Sequence, residues 1–230
     1  MHGDFHGFST KTFAFLKELK SNNNRPWFNE NKPRYEADVL ETSLQFITAM
    51  KPALKKVTRY FDAIPKRTGG SLMRIYRDVR FSKDKIPYKT NIGIHFRHEM
   101  GKSVHSPGYY LHLEPNECFF GAGIWHPDND TLRKIRSQIV DQPQRWKRIA
   151  RNKKLKQDFE FAGDSLKRPP RDFDPDHPLI EDLKRKDFII LQHFNQKYAQ
   201  KPALVDQIAE KMKQARPLMV FLCDSLRIPF

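Results

Sequence analysis

The chain has 230 residues, 38% of them hydrophobic and 18 of them phenylalanine, with a formal net charge of +15 and a mean hydropathy of −0.74. That length suits a single domain with a substantial core beneath a wet, basic surface, and the well-spread aromatics exclude a disordered chain. No run of about 18 apolar residues exists to cross a membrane, MHGDFHGFST does not read as a secretory signal, and Cys118 and Cys223 make neither a disulfide framework nor a CxxC pair, so a cytoplasmic protein with reduced thiols is expected.

In chain order, a first helix is expected from Ser9 or Thr10, carrying Phe13, Leu16 and Leu19 at helical spacing and ending in SNNNRPWF. Trp27 and Phe28 read as core anchors behind that stop. A second helix is expected near Pro33, with Tyr35, Val39, Leu44, Ile47 and Met50, broken or kinked at Pro52. Residues 70–125 change period. SLMRIY (71–76), NIGIHF (91–96), YYLHLE (109–114) and CFFGAGIW (118–125) read as strands separated by turn residues. Beyond Trp125 the pattern is helical again: Asp128 or Asp130 caps a helix with Leu132, Ile135 and Ile139, and another restarts at Pro143 with Trp146 and Ile149. KRPPRDFDPDHP (167–178) is a loop. Residues 179–230 read as mostly helical, including the apolar clusters FIILQHF and LMVFLCDSL. The grouping is helical (9–58), strand-rich (70–125) and helical (128–230). It implies one α+β domain over residues 1–230, built on an antiparallel sheet of about four or more strands with helices at both ends.

The charge is unevenly spread. Residues 74–89 carry six cations against Asp78 and Asp84, and residues 133–156 carry ten against Asp141. Together they hold +13 of the +15, and such local excess draws anions. In the first stretch, Arg74, Arg77, Arg80, Lys83, Lys85 and Lys89, with Tyr88 beside them, are candidate ligand-binding residues for a small anionic, phosphorylated molecule. Arginine forks hold pairs of oxygens and lysines act as point charges. Period-two counting places Arg74 away from Met73 and Ile75, His95 opposite Ile92, Ile94 and Phe96, and Tyr110, His112 and Glu114 together opposite Leu111 and Leu113. A basic connection closing over that polar face makes Asp78, Asp84, His112 and Glu114 the candidates for proton transfer. The reading requires the cations to converge on a shared hollow rather than to pair off with their own carboxylates.

FHGFSTKTFAFLKELKSNNNRPWF, GGSLMRIYRDVRFSKDKIPYKTNIGIHF and GYYLHLEPNECFFGAGIW together resemble the family filed as domain of unknown function 2461, found in bacteria and fungi. The resemblance covers most of the chain and implies that the basic phrase belongs to the domain's own design. It brings no reaction and no cofactor with it.

Other constellations read as structural. His112-x-Glu114 with His126 and Asp128 matches no metal signature, so ordinary partners and caps are expected and no metal or cofactor is assigned. GAGIW is not a dinucleotide fingerprint; Gly121 and Gly123 are expected to admit another segment packed over the strand. Ser82 lies among cations but has no implied base. The second basic stretch reads as two amphipathic helices. It leaves open a non-catalytic nucleic-acid-binding module, or a scaffold docking an acidic protein, as alternatives to the small-anion site.

Overall fold

The computed structural model describes residues 5–80, 83–101 and 106–230. Ser9 caps α1 (Thr10–Ser21), its Oγ accepting the Thr12 amide hydrogen at 3.3 Å. Asn24 caps α2 (Arg25–Glu30) by accepting from the Trp27 amide at 3.0 Å. A short α3 (Lys32–Arg34) and a π-helical stretch (Tyr35–Glu41) run on into α4 (Thr42–Val57). Pro52 does not end that helix. An interior proline costs about 3 kcal/mol, but Phe46, Ile47, Met50, Leu54 and Val57 bury one face on both sides of it. Tertiary burial outweighs the local penalty.

The sheet has six strands among the described residues: β1 (Phe61–Asp62), β2 (Ile92–His98), β3 (Gly108–Glu114), β4 (Glu117–Ile124), β5 (Glu160–Ala162) and β6 (Phe188–Phe194). Their order is β1-β2-β3-β4-β6-β5 and every pairing is antiparallel. The protein is therefore α+β, with an antiparallel sheet between helices at both ends of the chain.

Two expected elements differ. FIILQHF is strand β6, hydrogen-bonded between β4 and β5. SLMRIY is not a strand: Leu72 bridges Ile94, then the chain peels away and Tyr76 bridges Tyr88. The Arg77 amide donates to Pro87 O at 2.9 Å, and the Lys89 amide to Ile75 O at 2.7 Å. Because the backbone turns between the two bridges, Leu72 and Ile75 are both buried and the expected alternation fails there.

One sheet face makes the core. Ile92, Ile94, Phe96, Tyr109, Leu111, Leu113, Phe120, Phe188 and Ile190 are buried on it, against α4 and α10 (Leu204–Ser225). Asp128 caps α5 (Asn129–Asp141), and α6 (Pro143–Ala150) follows. Trp146 of α6 is fully buried, its ring 5.2 Å from Phe221 and 5.8 Å from Phe188. A short α7 (Lys153–Asp158) leads to β5. No helix among the described residues is long and apolar enough to cross a membrane. Cys118 and Cys223 are free and buried, and burial pushes both thiols up, Cys223 to about 12.

Candidate functional site

The opposite face of the sheet carries the candidate site. Strand register aligns His95 with Tyr110, Gly121 and Leu191 in one row across β2, β3, β4 and β6. The next row aligns Gly93, His112, Phe119 and His193, and the row on the other side aligns Arg97, Gly108, Gly123 and Ile189. Four glycines thus fall among the side chains of one face. A Cβ on Gly108 would collide with the His95 imidazole, and one on Gly93 would stand 2.8 Å from Tyr110 Oη. Gly123 adopts φ 134°, and a side chain there would strike the Phe188 carbonyl, so only glycine suits that position. Gly121 and Gly123 thus have a close neighbour, but it is β6 beside them in the sheet and not, as expected, a segment packed over the strand. The missing side chains leave a cleft of about 410 Å³, lined by His95, Tyr110, His112, Phe119, Trp125 and Leu191, with Met73 at one wall. That volume suits a small organic molecule.

The cleft's polar groups are few and buried. His95 is 8% exposed, and its Nδ1 has no hydrogen-bond partner among the described residues. Burial, and then the charge of Arg97, pulls its pKa down to about 4, so the imidazole is neutral at neutral pH. His112 lies flat on Phe119, ring centroids 4.6 Å apart. Its Nδ1 is 3.2 Å from Tyr110 Oη and 3.4 Å from Asn91 Nδ2. An amide nitrogen only donates, so Nδ1 accepts and the proton resides on Nε2. Nε2 stands 3.5 Å from Glu114 Oε2, within ion-pair range but too long for a hydrogen bond, and so remains unpartnered among the described residues. Burial lowers the His112 pKa despite the opposing pull of Glu114. Glu114 is held from behind, its Oε1 accepting from Thr90 Oγ1 at 2.9 Å and from Lys20 Nζ at 3.3 Å. Burial pushes the Tyr110 phenol up to about 12. Tyr110, His112 and Glu114, alternate residues of one strand, therefore stand in succession, the first pair within hydrogen-bond range and the second within ion-pair range only.

A second carboxylate–imidazole pair lies beside the cleft. Asp187, 1% exposed, accepts from the His126 amide at 2.7 Å, the Asp164 amide at 2.9 Å and His126 Nδ1 at 3.0 Å. His126 in turn stacks on Trp125, centroids 4.1 Å apart. A metal constellation of His112, Glu114, His126 and Asp128 is not assembled. Asp128 caps α5, His126 belongs to Asp187, and no group of three or more His, Cys, Asp or Glu gathers among the described residues.

The basic connection is built differently. Arg80 forks onto Asp78, Nε and Nη2 donating at 2.9 and 2.7 Å, and Arg77 donates to Asp84 at 3.0 Å. Lys85 Nζ donates to Val79 O at 3.0 Å. The Arg80 hydrogen bond holds the Asp78 carboxyl down at about 2. The Ile86 amide, and then Arg77, lowers Asp84. Carboxylates so depressed are poor proton acceptors. Tyr88 is buried, stacked on Phe28 with centroids 4.0 Å apart and fastened by its backbone to the Asn23 side chain. Arg74, Lys83 and Lys89 make no ion pair among the described residues. Burial, and then the charge of Arg74, lowers Lys89. Ser82 lies outside the described residues.

Of the residues singled out in the sequence, His112 thus lines the cleft with Glu114 behind it, Asp78 and Asp84 lie in the connection, Arg77, Arg80 and Lys85 take separate partners, and Arg74, Lys83 and Lys89 make no ion pair among the described residues. His95 was visible only as a polar residue on the right face. Phe119, Trp125, Leu191 and Asp187 went unread, the last two because their positions depend on where β6 lies.

The fold and cleft define an α+β protein with a small-molecule-sized site on the face of its sheet that the core leaves free. The chain belongs to the family of conserved hypothetical proteins designated DUF2461, whose family model matches residues 11–221. No curated protein and no solved structure matches the chain.

Proposed function

We propose that the glycine-cut sheet face binds a small planar ligand bearing an anionic group and exchanges a proton with it. The observation carrying this reading is that His95 Nδ1 and His112 Nε2 are buried, belong to uncharged imidazoles and lack partners among the described residues. An unsatisfied buried polar atom costs about 1–3 kcal/mol, which a hydrogen bond from a ligand would recover. Phe119, Trp125 and Leu191 favour a flat apolar body. Arg97, on the same strand face as His95 and near enough to lower its pKa, supplies charge for the anionic end. The anionic ligand class inferred from the sequence is kept, and so is the polar sheet face as one wall of its seat, while the basic connection is no longer assigned the role of holding it. In the proton step, Tyr110 passes its hydroxyl proton to His112 Nδ1 as it takes one from the ligand, and the Glu114 carboxylate, 3.5 Å from Nε2, stabilises the imidazolium so formed.

The test is a ligand-observed NMR screen of aromatic and heteroaromatic acids against the wild type and Gly121→Val, whose added methyls fill the cleft. Hits that vanish in a folded Gly121→Val, and whose binding perturbs the His95 and His112 ring resonances, support the reading. Hits that bind the variant equally well place the ligand elsewhere.

A further inference from the structure

The cations of residues 133–156 do not act alone, nor are all ten available. Arg136 is buried, its Nη2 donating to Arg185 O at 2.9 Å. Arg145 pairs with Asp224 and lies over Phe221, and Arg133 faces Asp172 at 3.8 Å. Those left in excess cluster round α6, which stands as a ridge between two hollows. One, of about 430 Å³, is shared with α10 and brings Arg148 of α6 together with Lys213 and Arg216 over a floor that includes Ile149 and Pro217. The other, of about 470 Å³, lies toward β5 and contains Lys147, Arg151 and Lys156. Lys147, Arg148, Arg151, Lys156 and Arg216 make no ion pair among the described residues. Of the acidic groups near them, Glu210 is paired with Lys213 and Asp182 with Arg185, while Glu160, which also lines the second hollow, stands 3.4 Å from His193 Nε2.

We infer that the α6 ridge and its two flanking hollows bind the sugar–phosphate backbone of nucleic acid. The arrangement favours this occupant on three grounds. The unpaired cations lie on both flanks of a helix, so no single small anion can engage them, whereas a chain of evenly spaced phosphates can. The hollows are concave, and the exposed large apolar residues among those described are Tyr76, Ile86, Met100, Trp125 and Val140, none of them on α6; a flat membrane would find neither a matching surface nor side chains on α6 to insert. Planar guanidinium forks from Arg148, Arg151 and Arg216 match phosphate oxygens. No exposed aromatic of α6 offers a stacking platform, Trp146 being fully buried, so binding is independent of base sequence. The α10 residues Lys213 and Arg216 lie about sixty positions beyond the basic stretch and enter only through the fold.

The test is fluorescence anisotropy with labelled single-stranded RNA and duplex DNA, over a KCl series from 50 to 200 mM, for the full chain and for Arg148→Glu/Arg151→Glu. About four phosphate contacts predict a slope of log K against log salt near −3 to −4. The double charge reversal is expected to lower the steepness by about two and the affinity at 50 mM KCl more than tenfold, with the thermal midpoint confirming that the variant is folded. Absence of binding at 50 mM KCl, an unaltered slope in the variant, or equal affinity for polyglutamate or phosphatidylserine vesicles would each overturn the inference. Because Gly121→Val fills the sheet cleft without touching α6, it is expected to bind nucleic acid as the wild type does, which separates failure of this inference from failure of the cleft reading.

Discussion

The connection 74–89 and the free face of the sheet are the two polar regions that flank β2, and they handle polarity in opposite ways. The connection is dense in charge and settles much of it locally, through Arg80 on Asp78, Arg77 on Asp84 and Lys85 on a backbone carbonyl. The sheet face carries little charge but leaves buried imidazole nitrogens unpartnered around a hollow. Exposed ion pairs contribute little and are screened by salt, whereas an unsatisfied buried group is costly enough to need a reason. Unspent polarity in a concave place is therefore a better pointer to a site than charge density.

The most disruptive way to probe that contrast is to rebuild the hollow. Gly123→Val places a β-branched residue at φ 134° and drives its Cβ into the Phe188 carbonyl, so a loss of roughly 3–5 kcal/mol is expected from strain and overpacking together. Gly69→Ala, also at positive φ but with nothing within 4 Å of the added carbon, should cost only about 1 kcal/mol. Urea unfolding of both variants reads the difference. Equal losses would mean that the glycine serves backbone conformation alone and not the close approach of β4 to β6.

The connection's own anchor is the ring of Tyr88, not its charges. Tyr88→Ala removes the partner of Phe28 and is expected to cost roughly 3 kcal/mol in the same assay. A loss well below that would return Tyr88 to the list of groups free to meet a ligand.

A comparable effect is expected from pH. His95 is held near 4 in the folded chain against about 6.5 when exposed, so between those values the unfolded chain binds more protons than the folded one. Stability should therefore fall as pH is lowered from about 6.5 to about 4, by roughly 3 kcal/mol from this residue alone. His112 shifts in the same direction and adds to the slope. In His95→Leu that share of the pH dependence should be missing when denaturant midpoints at pH 7 and 4.5 are compared. An identical slope in the variant would mean that His95 protonates in the folded state as readily as in water.

These residues also show what the chain discloses by itself. Alternation along 109–114 is enough to set Tyr110, His112 and Glu114 on one face, and Ser9, Asp128 and the Pro143 restart give helix ends that the fold keeps. FIILQHF is illegible because β6 is apolar on both sides: Phe188 and Ile190 enter the core while Ile189 and Leu191 wall the cleft, which erases the period that separates strand from helix. Without β6 the row His95, Tyr110, Gly121, Leu191 cannot be drawn, and neither can the approach of Asp187 to His126 across 61 positions. Register between strands, not the pattern within one, assembles the cleft.

The gentlest probe bears on the connection directly. Arg80→Ala removes an exposed fork, so the unfolding midpoint should not move measurably. What should move is Asp78, whose carboxyl is held at about 2 chiefly by that hydrogen bond and only lastly by the charge of Arg74. Carboxyl-carbon NMR of the variant should show Asp78 titrating higher, toward its ordinary value of about 3.8 but short of it, because the backbone amide of residue 80 still donates to Oδ1. If Asp78 instead stays near 2 without the Arg80 side chain, more than the surviving amide of residue 80 is needed to hold it, and Arg74 and the neighbouring cations do so jointly. That outcome would mean that the connection does gather its charges on one point, and that the anion seat belongs there and not on the sheet.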